Sequence, residues 1–211
     1  MKKLGIFGTS GFAREVADIG VELGYEPFFI ARDEAELEAW TFPLAAILES
    51  EIGEVAGAVF AIGIGENLIR QKVAKRYEGH LSFANLIHPS ASFGRAQREH
   101  IDTRNGVIVC AGVRFTNNIQ VGDFTVFNLN STIGHDVIVE SFVNMAPGAH
   151  ISGNVHIEER CWIGTGAVVN QGSNDRKLTI AADTMIGSGA VVIKDCEAHA
   201  VYVGAPAKRI K

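Results

Sequence analysis

The chain has 211 residues, of which 47% are hydrophobic, enough for one core of ordinary size or two small ones. A formal net charge of −5 argues against nucleic acid as a partner. No run of residues has the length and apolar character of a membrane span or signal peptide, so we expect a cytoplasmic protein without membrane insertion. The three widely spaced cysteines form no CxxC pair and predict neither a disulfide framework nor a metal site.

The first eighty residues alternate between β-strand and α-helix patterns. They begin with a strand, a glycine turn at Gly8–Gly11 and an amphipathic helix. This alternation predicts a Rossmann-like α/β domain with a small parallel sheet of about four strands. Strands are predicted at 4–7, 27–30 and 57–62, and helices near 12–23, 34–40 and 67–77.

Helical periodicity is almost absent after residues 82–89, and a period of six takes its place. Every sixth residue from Val109 to Val169 is apolar, eleven times without a miss. A second column, two residues earlier from Val107 to Ala167, is small or β-branched throughout. A sandwich of short strands would not keep this register, so the period predicts a parallel β-helix with three hexapeptides in each coil. We therefore predict two domains, 1–82 and 83–211.

The six-residue repeat is interrupted once, by the polar segment Gln171–Thr179, and resumes at Ile180. Such an excursion predicts a surface loop that projects from one coil. The prism itself is filled by its own side chains, so a functional site must lie outside it. Flat faces and exposed coil ends favour self-association, and we expect a homotrimer with clefts between subunits.

One histidine stands apart from the other six. His135 follows Ile133 by two positions, lies between Gly134 and Asp136, and precedes Gly153 by eighteen residues, which is one full coil. The coil spacing places His135 and the Gly153 amide about 5 Å apart on one outer face. This pairing suits acyl transfer, in which imidazole removes a proton from an attacking amine or hydroxyl and an amide polarises the thioester carbonyl. A solvated surface histidine is the alternative.

With these features, the chain resembles the hexapeptide-repeat sugar acetyltransferases of the NeuD/PglD type over its whole length. The resemblance implies an α/β domain followed by a left-handed parallel β-helix. It rests on six motifs in order: GTSGFAREV at 8–16, IGIGENLIR at 62–70, LIHPSA at 86–91, IGHD at 133–136, GAHISGNV at 148–155 and VGAPAKRI at 203–210.

The resemblance implies roles for residues of the β-helix. His135 becomes the general base, oriented by Asp136, and Gly153 donates its amide to the acetyl carbonyl. The donor is acetyl-CoA, and the residues implied to bind it are Ser152, Thr165, Ser188, Lys208 and Arg209.

The resemblance also implies that the N-terminal domain holds a nucleotide sugar, with Gly8, Ser10 and Gly11 at the phosphates and Asp33 near the uracil or ribose. A glycine turn before a helix presents backbone amides to an anion, which agrees with a phosphate site at these residues. The spacing GxxG lacks the full GxGxxG pattern, so it does not favour NAD. Phe12 stands where many relatives carry histidine, and Asn144 replaces another histidine that is sometimes present near the acceptor, which leaves the acceptor open.

We predict acetyl transfer from acetyl-CoA to the amino group of a nucleotide-linked amino sugar, such as a UDP-4-amino sugar, by direct attack. Three alternatives remain at this point. O-acetylation of a sugar hydroxyl, as in sialic acid modification, needs the same site. A γ-carbonic-anhydrase-like hydrolyase needs three histidines around one zinc ion, and the spacing of His135, His150 and His156 argues against it. A non-catalytic assembly or nucleotide-sensing module is disfavoured by the presence of His135, Asp136 and Gly153.

Overall fold

The computed structural model describes all residues from 1 to 211. Its N-terminal part is a four-stranded parallel sheet, with the strands in the order Ala46–Leu48, Tyr25–Ala31, Lys2–Phe7 and Val59–Ile62. The apolar faces of its helices pack on this sheet, with Val16 and Ala17 of the first helix against Leu4 and Ile6 of the first strand. The elements are β1 Lys2–Phe7, α1 Gly11–Glu22, β2 Tyr25–Ala31, α2 Glu34–Glu38, β3 Ala46–Leu48, a 3₁₀ helix Glu49–Glu54, β4 Val59–Ile62 and α3 Asn67–Arg76.

From residue 86 onward the chain forms three stacked parallel sheets, the faces of a left-handed β-helical prism. Both predicted columns point inward, and every member from Val107 to Val169 is buried. Face 1 contains Leu86–Ile87, Ile108–Val109, Val126–Phe127, Asn144–Met145, Trp162–Ile163, Met185–Ile186, Val201–Val203 and the antiparallel Lys208–Arg209. Face 2 contains Ser92–Phe93, Arg114–Phe115, Thr132–Ile133, His150–Ile151, Val168–Val169 and Val191–Val192. Face 3 contains Gln120–Val121, Ile138–Val139, Val155–Ile157 and Leu178–Ile180.

A left-handed residue turns the chain at each corner of the prism. The backbone φ is positive at every sixth residue from Gly106 to Gly166 without exception. Glycine, asparagine and aspartate tolerate this conformation best, and they occupy most of these corners. The corners therefore repeat with the same period as the core columns.

Helix α4, Gln97–Asp102, was not predicted from the sequence, and it covers the first strand of face 3. The Gln97 amide donates to the Ile119 carbonyl (2.6 Å) and accepts from the Ile119 N–H (2.9 Å). His100 Nε2 accepts from the Val121 N–H at 3.0 Å. The helix thus satisfies backbone groups that an uncovered edge strand would expose.

The two parts of the chain share a core. Ile108 and Val126 on the outer side of face 1 pack with α1 and β1. Arg70 of α3 is fully buried and donates to the carbonyls of Phe124 (2.9 Å) and Phe142 (2.8 Å). The boundary at 82/83 falls just before the first coil strand and stays a prediction as a division into separate domains.

Candidate active site

The corner between faces 2 and 3 carries the predicted catalytic pair. His135 Nδ1 lies 2.7 Å from Asp136 Oδ2, and the histidine side chain is 54% exposed. Asp136 is the left-handed residue of this corner, with a φ of 60°, and its carboxylate contacts the preceding imidazole. Hydrogen bonds from Asn118 and His135 hold the pKa of the Asp136 carboxyl below its usual value. The carboxylate accepts from Nδ1–H, which leaves the Nε2 lone pair free.

Glycines at 153 and 134 leave room for the imidazole and for the Gly153 amide, respectively. A Cβ on Gly153, one coil above, would lie 2.4 Å from His135 Nε2, and a Cβ on Gly134 would lie 2.6 Å from the Gly153 nitrogen. The Gly153 N–H has no hydrogen-bond partner in the chain, although the residue is buried. Buried amides are almost always paired, so an unpaired one beside a free imidazole nitrogen marks a place for an incoming acceptor atom.

The predicted surface loop does project from the coil, but its end folds back over this corner. Asn118, Asp136 and Asn154 stack there, one from each of three consecutive coils, and Asn118 Nδ2 donates to Asp136 Oδ1 at 2.5 Å. Lys177 Nζ donates to the Asp136 carbonyl and to Asn154 Oδ1 (3.0 Å). The loop and the corner line an open polar pocket of about 350 Å³, to which His135 contributes.

The residues implied to bind coenzyme A lie at separate places on one prism. Ser152 is on the His135 corner, directly before Gly153. Thr165 and Ser188 lie one above the other on the corner between faces 1 and 2, and both are exposed. Face 2 separates Ser152 from this second corner.

Lys208 and Arg209 lie on the last strand of face 1, at the C-terminal end of the prism. Arg209 pairs with Glu197, whereas the exposed Lys208 side chain makes no hydrogen bond in the chain. Their strand is five positions beyond that of the His135 coil, or about 24 Å along the axis at the usual strand spacing. They do not touch the His135 corner.

The residues implied to hold the nucleotide share the carboxyl edge of the N-terminal sheet. Gly8 follows β1 with a φ of 103°, and Ser10 is the N-cap of α1 without a side-chain cap hydrogen bond. The first-turn amides of Gly11 and Phe12 have no partner in the chain. Asp33 follows β2, where its carboxylate caps α2 through the Glu36 N–H (2.9 Å) and pairs with Arg32.

Phe12 and Asn144, the two departures from the resemblance, lie on the two sides of the contact between domain and prism. Phe12 packs, half-buried, on the cluster formed by α1, β1 and face 1. Asn144 is 3% exposed on face 1, between Val126 and Trp162 of the neighbouring strands. Its side chain makes no hydrogen bond in the chain.

Comparisons with known proteins agree with this arrangement. Residues 3–77 match the model of the PglD N-terminal domain. The chain is 34% identical over 153 residues to a GDP-perosamine N-acetyltransferase of Escherichia coli, covering 72% of this chain and 67% of the relative. The chain belongs to the hexapeptide-repeat sugar acetyltransferases of the NeuD/PglD type.

Solved structures of two relatives extend over the whole chain. The acetyltransferase domain of PglB from Neisseria gonorrhoeae, in complex with acetyl coenzyme A, superposes with a TM-score of 0.86 at 26% identity and covers 99% of both chains. PerB from Caulobacter crescentus, in complex with CoA and GDP-perosamine, gives a TM-score of 0.86 at 26% identity and covers 100% of this chain and 98% of its own. The predicted fold class and the predicted enzyme class, a sugar N-acetyltransferase that uses acetyl-CoA, are confirmed.

Sequence reasoning about this sugar acetyltransferase missed two residues of the corner. Asn118 precedes Asp136 by eighteen residues, so the period that linked His135 to Gly153 could have found it. Lys177 lies inside the insertion that breaks the period, so no spacing argument reaches it. Among the helices, none has the length and apolar character needed to cross a membrane.

Proposed function

We propose that this chain transfers the acetyl group of acetyl-CoA to the amino group of a nucleotide-linked amino sugar, with His135 as general base. The observation that supports it is that the free Nε2 of His135 and the unpaired N–H of Gly153 lie next to each other. The glycines at 134 and 153 leave room for both groups. Membership of a family of sugar acetyltransferases supplies the reaction class.

The geometry supports a direct transfer. As the sugar amine attacks the thioester carbonyl, Nε2 of His135 removes its proton and the Gly153 N–H donates to the developing oxyanion. When the tetrahedral intermediate collapses, the C–S bond breaks and the imidazolium returns the proton to the CoA thiolate. The products are the N-acetylated sugar and free CoA. A positioned base contributes about 10²–10⁴ in rate, and one oxyanion donor about 10²–10³.

Asp136 orients the base. Its lowered carboxyl pKa keeps it ionised at neutral pH, so it accepts from Nδ1–H and fixes the tautomer in which Nε2 is basic. It also stabilises the imidazolium formed during the reaction, because the charged pair is in direct contact.

We propose the open amino end of α1, with Gly8, Ser10 and Gly11, as the diphosphate site. Unpaired amides and the helix dipole favour negative charge there. The proteins named for GDP-perosamine make GDP-linked amino sugars the first acceptors to test, beside the UDP-linked sugars expected from sequence. Asp33 can face the ribose or base of the nucleotide only if its carboxylate gives up its hydrogen bonds with Arg32 and the Glu36 N–H.

For the donor, we propose that Ser152, Thr165 and Ser188 line the pantetheine path and that Lys208 and Arg209 meet the coenzyme phosphates. The two corners that carry Ser152, Thr165 and Ser188 bound face 2. In a homotrimer with clefts between subunits, these corners of different copies would lie close together. Light scattering measures the number of subunits directly. We also place the protein in the cytoplasm, in keeping with its three free cysteines.

The test follows thiol release from acetyl-CoA with GDP- and UDP-linked 4-amino sugars, comparing wild type, His135→Ala and the matched surface variant His80→Ala. We expect wild type and His80→Ala to be equally active and His135→Ala to lose at least about 10²-fold in kcat. Alkali-stable product distinguishes an amide from an ester. Equal activity of His135→Ala, or an alkali-labile product only, would contradict the proposal.

A further inference from the structure

The side chain of Lys177 spans two coils of the corner that carries His135. Its ammonium donates to the backbone carbonyl of Asp136 and to Oδ1 of Asn154, one coil above. Lys177 is partly buried and contacts neither His135 nor the Asp136 carboxylate by hydrogen bond. Its contact with Asp136 is therefore with the main chain of the residue that carries the carboxylate.

Asp136 is held from three sides. Asn118 Nδ2 binds Oδ1, His135 Nδ1 binds Oδ2, and Lys177 binds the main-chain carbonyl. The residue has a left-handed φ of 60°, a conformation that a residue other than glycine keeps only where its surroundings hold it. The charge-assisted hydrogen bond from Lys177 to the Asp136 carbonyl helps to hold this backbone conformation.

The loop that carries Lys177 is itself attached to the same corner. Asn154 Nδ2 donates to the Ser173 carbonyl, and the Gly172 N–H donates to the Gly153 carbonyl at 3.1 Å. A Cβ on Gly172 would lie 2.2 Å from the Asn154 carbonyl, so the loop backbone rests directly on the coil. The insertion thus fixes the peptide groups on both sides of Asn154.

We propose that Lys177 is a positioning residue for acetyl transfer, and that the insertion loop 171–177 locks the His135–Asp136 pair and the Gly153 peptide in register. The proposal rests on the proposed function of His135. Lys177 touches neither substrate nor reacting atoms in this assignment. Its contribution is to kcat, because it orients groups that act on the reacting carbonyl without binding the ground state of either substrate.

The experiment compares Lys177→Met, Lys177→Arg and the matched control Lys72→Met, an exposed lysine of α3 with no hydrogen bond. We expect Lys177→Met to lower kcat at least tenfold with both KM values within twofold of wild type and a melting temperature close to that of Lys72→Met. Lys177→Arg retains a donor for the Asp136 carbonyl and should recover most of kcat.

A second variant keeps the test decisive if Lys177→Met folds poorly. Asn154→Gly fits the left-handed corner, removes both side-chain contacts with the loop and leaves Lys177 in place. We expect a several-fold loss in kcat from it. Wild-type kcat in Lys177→Met or in Asn154→Gly, or a loss that lies in KM alone, overturns the inference. A wild-type enzyme that is inactive, or unaffected by His135→Ala, refutes the proposed function instead.

Discussion

Gly134 and Gly153 lie against each other in consecutive coils, so closely that a Cβ on Gly134 would come within 2.6 Å of the Gly153 nitrogen. The contact involves backbone atoms on both sides, and no side chain can move away to relieve it. The Gly153 N–H is also the one proposed to bind the oxyanion. Position 134 therefore controls access to that amide.

Substitution of Gly134 by alanine tests this relationship. The added methyl group displaces or covers the Gly153 amide, and we expect kcat to fall by about 10²-fold or more, the usual cost of losing one oxyanion donor. Steady-state kinetics with both substrates measure the effect. Gly53→Ala is the control, because a Cβ there meets open space. A Gly134→Ala enzyme with wild-type kcat would show that the amide has no role.

Ser10→Asp separates helix capping from nucleotide binding. Ser10 makes no side-chain cap hydrogen bond, and aspartate is a strong N-cap whose charge suits the helix dipole, so stability should hold or rise by up to about 1 kcal/mol. The same carboxylate repels a diphosphate. We expect the KM for the nucleotide sugar to rise at least tenfold, while the KM for acetyl-CoA stays unchanged.

Ser10→Asn is the matched neutral variant, since asparagine caps equally well without a charge. It should bind the nucleotide sugar much more tightly than Ser10→Asp. Equal KM values in the aspartate and asparagine variants would place the diphosphate elsewhere.

The prism could be predicted because its information is local. Each coil needs apolar residues such as Val109 and Ile133 at the same core positions, and the same period of the sequence relates His135 to Gly153. Helix α4 could not be predicted this way. Gln97 and His100 bond to backbone groups about twenty residues later, and nothing in their own neighbourhood signals those partners.

The corners show the same division between local and distant causes. Asn118, Asp136 and Asn154 suit a left-handed turn by themselves, and sequence alone indicates such turns. Phe124 and Phe142 are not residues that favour a left-handed turn. Their left-handed conformations coincide with contacts from α3, because their carbonyls accept from Arg70. Those contacts come from the other part of the chain, so the corner sequence does not reveal them.

Asp183 and Arg160 predict a stability that depends on pH. They form a two-point ion pair at 2.7 and 2.8 Å, each side chain about 20% exposed. The guanidinium lowers the pKa of the Asp183 carboxyl below its ordinary value of 3.8. A depressed carboxyl pKa stabilises the fold above the unfolded value, and that contribution is lost as the pH falls through the folded one.

Asp183→Asn, which fits the left-handed φ of this position, should therefore cost about 1–3 kcal/mol of unfolding free energy at pH 7. The difference from wild type should shrink as the pH falls below 3.8. Urea denaturation at pH 7 and at a pH below 3.8 measures this difference in unfolding free energy. Asp102→Asn removes an exposed pair with Arg98 and should change little. A cost for Asp183→Asn that stays constant with pH would exclude the ion pair as its cause.

Arg70 gives the sharpest prediction about how the two parts of the chain hold together. Its guanidinium is fully buried and makes no direct ion pair, and this burial lowers its pKa to about 10, so it stays charged at neutral pH. It donates to carbonyls on both sides of the contact, including Gly65 (2.8 Å), Phe124 and Phe142. Removing the donor leaves several buried carbonyls unpaired at about 1–3 kcal/mol each.

We expect Arg70→Met to lower the free energy of unfolding by at least about 3 kcal/mol, measured by chemical denaturation. Arg70→Lys should recover only part of this, because an ammonium cannot reproduce the planar fork that reaches both coils. Arg95→Met, at an exposed arginine without hydrogen bonds, serves as the control. If Arg70→Met and Arg95→Met had the same free energy of unfolding, the carbonyls of Phe124 and Phe142 would need no hydrogen-bond partner. Contacts from α3 would then not stabilise their left-handed conformations.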